Sequence, residues 1–176
     1  MAKRKKQIIL LGINHIAQWD KDSPKSKALR KKLLEISKTH NIDFIAEEFS
    51  KEALSLNGVK KTTCQEIAEL LKINYKLCDL DSKERKKCGI PLRSEVKTLL
   101  GIKGLVLEGR KEDKLIETEL RKYDSIRENC WLEKIKNEDF LNLVFVCGFS
   151  HLQGFKSILV NNRYNVSTIN MENYED

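Results

Sequence analysis

No run of apolar residues in this 176-residue chain approaches the roughly 20 needed to span a bilayer. The basic start, residues 3–6, leads into an apolar stretch too short for the core of a secretory signal. A cytoplasmic protein without membrane contact is the expectation. The five cysteines, Cys64, Cys78, Cys88, Cys130 and Cys147, are odd in number and form no C-x-x-C. That argues against a disulfide framework and a zinc ribbon, and favours free buried thiols. Proline is nearly missing, with two residues, and no repeat, low-complexity tract or linker divides the chain. One domain, 1–176, is expected; with 40% apolar residues it can bury a core of ordinary size.

Acidic residues are the scarcer sign, 26 against 33 Lys and Arg, for a formal net charge of +7. Such an excess attracts phosphate, nucleic acid or acidic partners. Much of it lies in 3–6 and 25–38, where helical spacing sets Lys27, Arg30, Lys31 and Lys38 opposite Leu29, Leu33 and Ile36. This reads as the solvated face of an amphipathic helix, and no aromatics interleave with the lysines as base-stacking platforms do. Nucleic acid is a partner that the charge permits without favouring. A small-molecule or peptide substrate is preferred, and a homo-oligomer is compatible with the composition.

Hydrophobic periodicity alternates strands with helices. Residues 7–11 form a short isoleucine-rich run ended by Gly12, a strand buried on both faces. Ser23-Pro24 is a helix start, with the apolar stripe continuing to about His40. Residues 42–48 read as a second strand, 50–56 and 63–71 as helices, and 75–80 as a third strand. From 82 to 110 the pattern breaks into short, lysine-rich pieces, read as a helical cap. Residues 111–136 show the strongest helical period, with Leu115, Ile116, Leu120, Tyr123, Ile126, Cys130 and Trp131 on one face. A strand at 141–147, a helix at 150–159 and a strand at 164–169 complete an α/β fold. A mostly parallel central sheet with helices on both faces is predicted, its core built from 7–81 and 111–170.

Histidine is the rarest candidate for chemistry, and two of its three copies stand three residues after a glycine: Gly12-Ile13-Asn14-His15 and Gly148-Phe149-Ser150-His151. At this glycine frequency the coincidence is rarer than roughly one in a hundred. Each motif follows a strand, so both imidazoles are expected at the carboxyl edge of the sheet, where open α/β sheets bind ligands. Glu47 and Glu48 end the second strand, and Asp79 and Asp81 the third. Neighbouring strand residues face opposite sides, so one glutamate serves the site; Glu48 is preferred and Glu47 is the alternative. Arg127 falls on the apolar face of its helix and needs an anionic partner there, from Glu48, Asp81 or substrate. His151 at a helix start is expected to be neutral. His40, ending a helix, is given no chemistry.

These elements, GINH with His15, IAEEFS with Glu48, Asp79-Leu80-Asp81, RENCWLEKI with Arg127 and CGFSH with His151, resemble the superfamily that joins TraB/Tiki (PrgY-like) and erythromycin-esterase/ChaN-like proteins. The ordered set spans about residues 7–164. The resemblance implies an α/β fold of the EreA/ChaN-like kind and hydrolysis, of peptides by metal-dependent Tiki-like members or of lactone esters by erythromycin esterases. The chain departs from that pattern: neither a membrane tail nor a large helical insertion is expected, and Glu128-Asn129 follows the arginine. A macrolide-sized cleft is not expected.

Two chemistries use the same residues. In the preferred one, His15, Glu48 and His151 bind one divalent ion (Mn, Zn, Co or Fe) that activates water, while Arg127, with Asp79 and Asp81, holds substrate. In the metal-free alternative, His15 or His151 is a general base oriented by Glu48, and Arg127 stabilises charge. A third alternative is a non-catalytic module binding nucleic acid or a ligand such as haem.

Overall fold

The computed structural model describes residues 5–107 and 109–172; Lys3 and Arg4 of the basic start, and Glu108 within the 82–110 segment, lie outside them. Five strands, β1 (Gln7–Ile13), β2 (Phe44–Glu47), β3 (Asn74–Leu77), β4 (Asn142–Gly148) and β5 (Asn165–Asn170), form one sheet in the order β3-β2-β4-β1-β5. Every pairing is parallel, so the sheet is an α/β sheet as the alternating pattern predicts. Parallel strands need crossovers, and the crossovers supply helices to cover both faces.

On one face Ile9, Leu11, Ile13 and Ile45 pack against α2 (Pro24–His40) and α4 (Thr63–Leu71) through Leu29, Leu33, Ile36, Cys64 and Ile67. On the other, Ile8, Leu10, Phe44 and Ala46 meet α8 (Asp124–Lys136) and α9 (Leu152–Asn161) through Trp131, Ile135, Phe155 and Leu159. The strict alternation of β1 and β2 between these two layers is the period-2 rule applied to a strand buried on both sides. Helix starts follow local chemistry: Ser23 caps α2 with Pro24 at its first position, and Ser50 and Thr62 cap α3 (Lys51–Leu56) and α4.

A four-residue helix, α1 (Ile16–Trp19), follows β1 with no sequence period to announce it. The long period of 111–136 is divided into α7 (Lys111–Leu120), a 3₁₀ turn at Arg121–Tyr123 and α8. The expected single apolar face is accordingly broken: Ile116 and Trp131 are buried, whereas Leu115 and Ile126 are exposed. A 3₁₀ turn advances the chain by three residues per turn, so faces on either side of it no longer align. Between residues 82 and 110 lie α5 (Ser82–Lys87) and α6 (Arg93–Leu99); Arg93 ties α6 to Asp113 and Glu117 of α7.

All five cysteines are free; Cys64, Cys78 and Cys147 are buried, while Cys88 and Cys130 are half-buried with sulfurs 3.5 Å apart. Among the described residues no helix is long and apolar enough to cross a membrane.

Candidate active site at the carboxyl edge of the sheet

Strand order decides which side chains meet. β4 lies between β2 and β1, so the residues leaving the carboxyl ends of β3, β2, β4 and β1 stand side by side along one rim: Asp79, Glu48, His151 and His15. Glu48 extends β2 by one residue, its N–H donating to Val146 O at 2.8 Å, and its side chain takes the face of α8 and α9. Oε1 accepts from Arg127 Nη2 at 2.7 Å and Oε2 from the Gly148 N–H at 2.8 Å. The two imidazoles flank this carboxylate, His15 Nε2 at 3.7 Å from Oε2 and His151 Nε2 at 3.5 Å from Oε1.

Each ring is anchored at its other nitrogen. His151 Nδ1 lies 2.9 Å from Oε1 of Glu128, and His15 Nδ1 lies 2.8 Å from Oε1 of Gln18. Carboxylate and amide oxygens accept only, so both Nδ1 atoms carry protons and both Nε2 atoms face the cleft. Neither Glu128 nor Gln18 is singled out by the sequence pattern. Glu128 directly follows Arg127 and turns inward to His151, while Asn129 turns outward to Ser125 O.

The motif glycines act through space rather than dihedral angle. A Cβ on Gly148 would stand 2.8 Å from His15 Nε2, and one on Gly12 would meet Leu152 Cδ1 at 2.5 Å. Both positions let neighbouring atoms lie against backbone, one in the site and one where β1 meets α9.

Arg127 is nearly buried and joins two carboxylates, Glu48 and Asp79, the latter at 2.9 Å. Its guanidinium carbon lies 5.3 Å from the Trp131 ring, whose Nε1–H donates to Asp79 Oδ1 at 3.2 Å, and Arg85 reaches Asp79 Oδ2 at 3.0 Å. Burial would raise the Asp79 pKa, but Arg127 and Arg85 hold it down at about 2. Burial works likewise on Glu48, and is outweighed by His15, Arg127 and His151, which keep it below its ordinary value. Burial disfavours charge on His151, yet the facing Glu48 and the hydrogen bond to Glu128 raise its pKa. The expectation of a neutral His151 at a helix start is therefore corrected: a short 3₁₀ turn, Phe149–His151, precedes α9, and two carboxylates dominate.

Asp79 thus serves as the arginine's partner. Asp81 does not reach the histidines: it caps α5 in a reciprocal capping box with Glu84. Glu47 turns to the opposite face of the sheet, fully buried against Gln18, Thr62 and Tyr75. His40 is exposed at the end of α2.

The cleft is a cavity of about 170 Å³ lined by His15, Glu48, Arg127 and His151 from the rim, with Ile90 from the 82–110 segment and Asp124 at the start of α8. His15 and Ser150 also line an adjoining cavity of about 440 Å³. Both are small beside a site for a large natural product.

The two anchored imidazoles suit a metal, since metal-bound histidines generally donate their second N–H to an outer partner. Glu48, the third expected ligand, accepts from a guanidinium on one oxygen and from a backbone N–H on the other. No group of three His, Cys, Asp or Glu among the described residues is arranged to hold a metal ion. No protein-family model, curated protein or solved structure matches the chain.

Proposed function

We propose that the chain is a hydrolase of small carboxylic esters in which His15 is the general base, His151 and Arg127 stabilise developing negative charge, and Glu48 holds the three in register. The observation that carries this reading is the convergence of two Nε2 atoms on Glu48, each ring tied down at Nδ1 from outside the cleft. The ordered resemblance to TraB/Tiki and erythromycin-esterase-like proteins supports hydrolysis as the reaction class.

The histidines differ in the way two roles require. The His15 side chain is 49% exposed and reaches both cavities, where water and substrate enter. His151 is buried and biased toward its charged form. Water attacks the ester carbonyl carbon as its proton passes to His15 Nε2, and the C=O electron pair moves onto oxygen, facing His151 and Arg127. Collapse re-forms the C=O bond and expels the alkoxide, which takes the proton back from His15. Positioned base catalysis contributes roughly 10²–10⁴-fold and fixed charge at the oxyanion a comparable factor, enough for an activated ester and modest for a peptide bond.

A second reading has one observation in its favour: the Nδ1 anchoring of His15 and His151 is also the outer-partner arrangement of a site for zinc, manganese, iron or cobalt. The test is hydrolysis of short-chain p-nitrophenyl esters by chelator-treated protein and by Glu48→Gln. Turnover that survives chelation and is lost in the variant supports the metal-free reading. Turnover that requires an added divalent ion supports the metal one, and none under either condition contradicts both.

A further inference from the structure

Glu47 lies on the far face of the sheet from Glu48, yet a chain of hydrogen bonds joins it to the cleft. Gln18, in the short helix α1 and fully buried, sits between Glu47 and His15. Its Nε2 donates to Glu47 Oε2 at 2.7 Å and to the Glu48 carbonyl at 3.3 Å. Its Oε1 meets His15 Nδ1 at 2.8 Å.

The orientation of an amide is decided by its partners. A backbone carbonyl accepts and never donates, so the NH₂ of Gln18 has to face Glu48 O, and with it Glu47. Its oxygen is then the group left for His15, and an acceptor at Nδ1 requires the proton to be there. Glu47 in turn receives hydroxyl donors from Thr62 and Tyr75 on Oε1. Thr62 is committed to that role, because its oxygen already accepts the Gln65 N–H at 3.0 Å as the cap of α4. Four groups from four elements therefore specify one polarity for the whole chain.

We infer that Glu47 is a positioning residue which, through Gln18, holds His15 as the Nδ1–H tautomer with a bare Nε2 directed at the cleft. An unconstrained neutral imidazole favours the opposite tautomer, with the proton on Nε2, which could neither take a proton from water nor ligate a metal. The inference rests on His15 acting through Nε2, as proposed above, but its test needs no substrate.

The chain has three histidines, so ¹⁵N-imidazole-labelled protein gives few signals, with exposed His40 as an internal reference. In mildly alkaline solution the wild type is expected to show His15 Nδ1 in the protonated, pyrrole-like range and Nε2 in the bare, pyridine-like range. In Glu47→Gln the new amide can donate to Gln18, allowing Gln18 to rotate and donate to Nδ1; His15 then reverses to the Nε2–H pattern while His40 is unchanged. Gln18→Met, which keeps the volume and removes the bridge, is expected to give the same reversal and covers the case in which Glu47→Gln fails to fold. A wild-type His15 with Nε2–H, or a pattern unmoved in Gln18→Met, overturns the inference. Failure of every ester to turn over bears on the hydrolase reading alone, because the tautomer is read on the free protein.

Discussion

His151 Nδ1 lies 2.9 Å from Oε1 of Glu128, a buried carboxylate one residue beyond the arginine that holds Glu48. The pair sets a direction for pH dependence. Glu48 and Glu128 raise the His151 pKa, so its charged form persists above the ordinary histidine value near 6.5. Activity that needs this charge falls as pH rises through the raised value. Glu128→Gln replaces the carboxylate whose hydrogen bond helps to raise it, and the alkaline limb of kcat against pH is expected to move to lower pH, with KM little changed. A limb that stays in place shows that Glu128 does not govern the charge on His151.

Gly148→Ala is expected to lower turnover far more than stability. The added Cβ would stand 2.8 Å from His15 Nε2 and 3.5 Å from Glu48 Oε2, so the imidazole must swing away from the carboxylate. A loss of about 100-fold in kcat is the size expected when a positioned base is displaced. The comparison is kcat against the urea midpoint, which is expected to shift little because an imidazole side chain can move where backbone cannot.

Arg127→Met leaves Glu48 and Asp79 buried against one another with their shared cation removed. Breaking a buried pair from one side costs roughly 3–5 kcal/mol, and urea unfolding of the variant is expected to show a loss of that order. Asp79→Asn in the Arg127→Met background is expected to restore part of it, because it removes one of the two buried negative charges that Arg127 joined, the one Arg85 still partly offsets.

Acid sensitivity has a named source. The folded Asp79 pKa of about 2 lies below its unfolded value of about 3.9, so its contribution is present above that unfolded value and lost as pH falls toward the folded one. The difference corresponds to roughly 2–3 kcal/mol. Stability measured by urea unfolding is expected to fall between about pH 4 and pH 2, and Asp79→Asn is expected to flatten that fall.

The rim was legible because it depends on strand ends. Apolar runs at β1, β2 and β4 locate their carboxyl termini to within a residue or two, and parallel connection then places His15, Glu48 and His151 on one edge. Arg127 announced itself by interrupting an apolar face; of its expected carboxylate partners Glu48 is met, whereas Asp79 stands in the place expected of Asp81. Asp79 and Asp81 were indistinguishable at two-residue spacing; local capping chemistry, Ser82 through Glu84 starting a helix, claims Asp81 and frees Asp79 for the arginine. Gln18 carries no signal at all, since α1 is a single helical turn without an apolar period, and its role exists only where β1 and β2 are brought together around β4. Glu128 was visible as a departure after the arginine, but its partner, 23 residues on in another helix, was not.

The most direct test of the account is the turnover of one short-chain ester by four proteins: wild type, His15→Ala, His151→Ala, and Lys27→Glu/Lys38→Glu on the exposed face of α2. The account predicts that each histidine variant loses at least about 100-fold in kcat with its melting temperature retained, while the charge reversals leave turnover intact. Turnover that survives both histidine substitutions, or that falls with the lysine reversals instead, contradicts it.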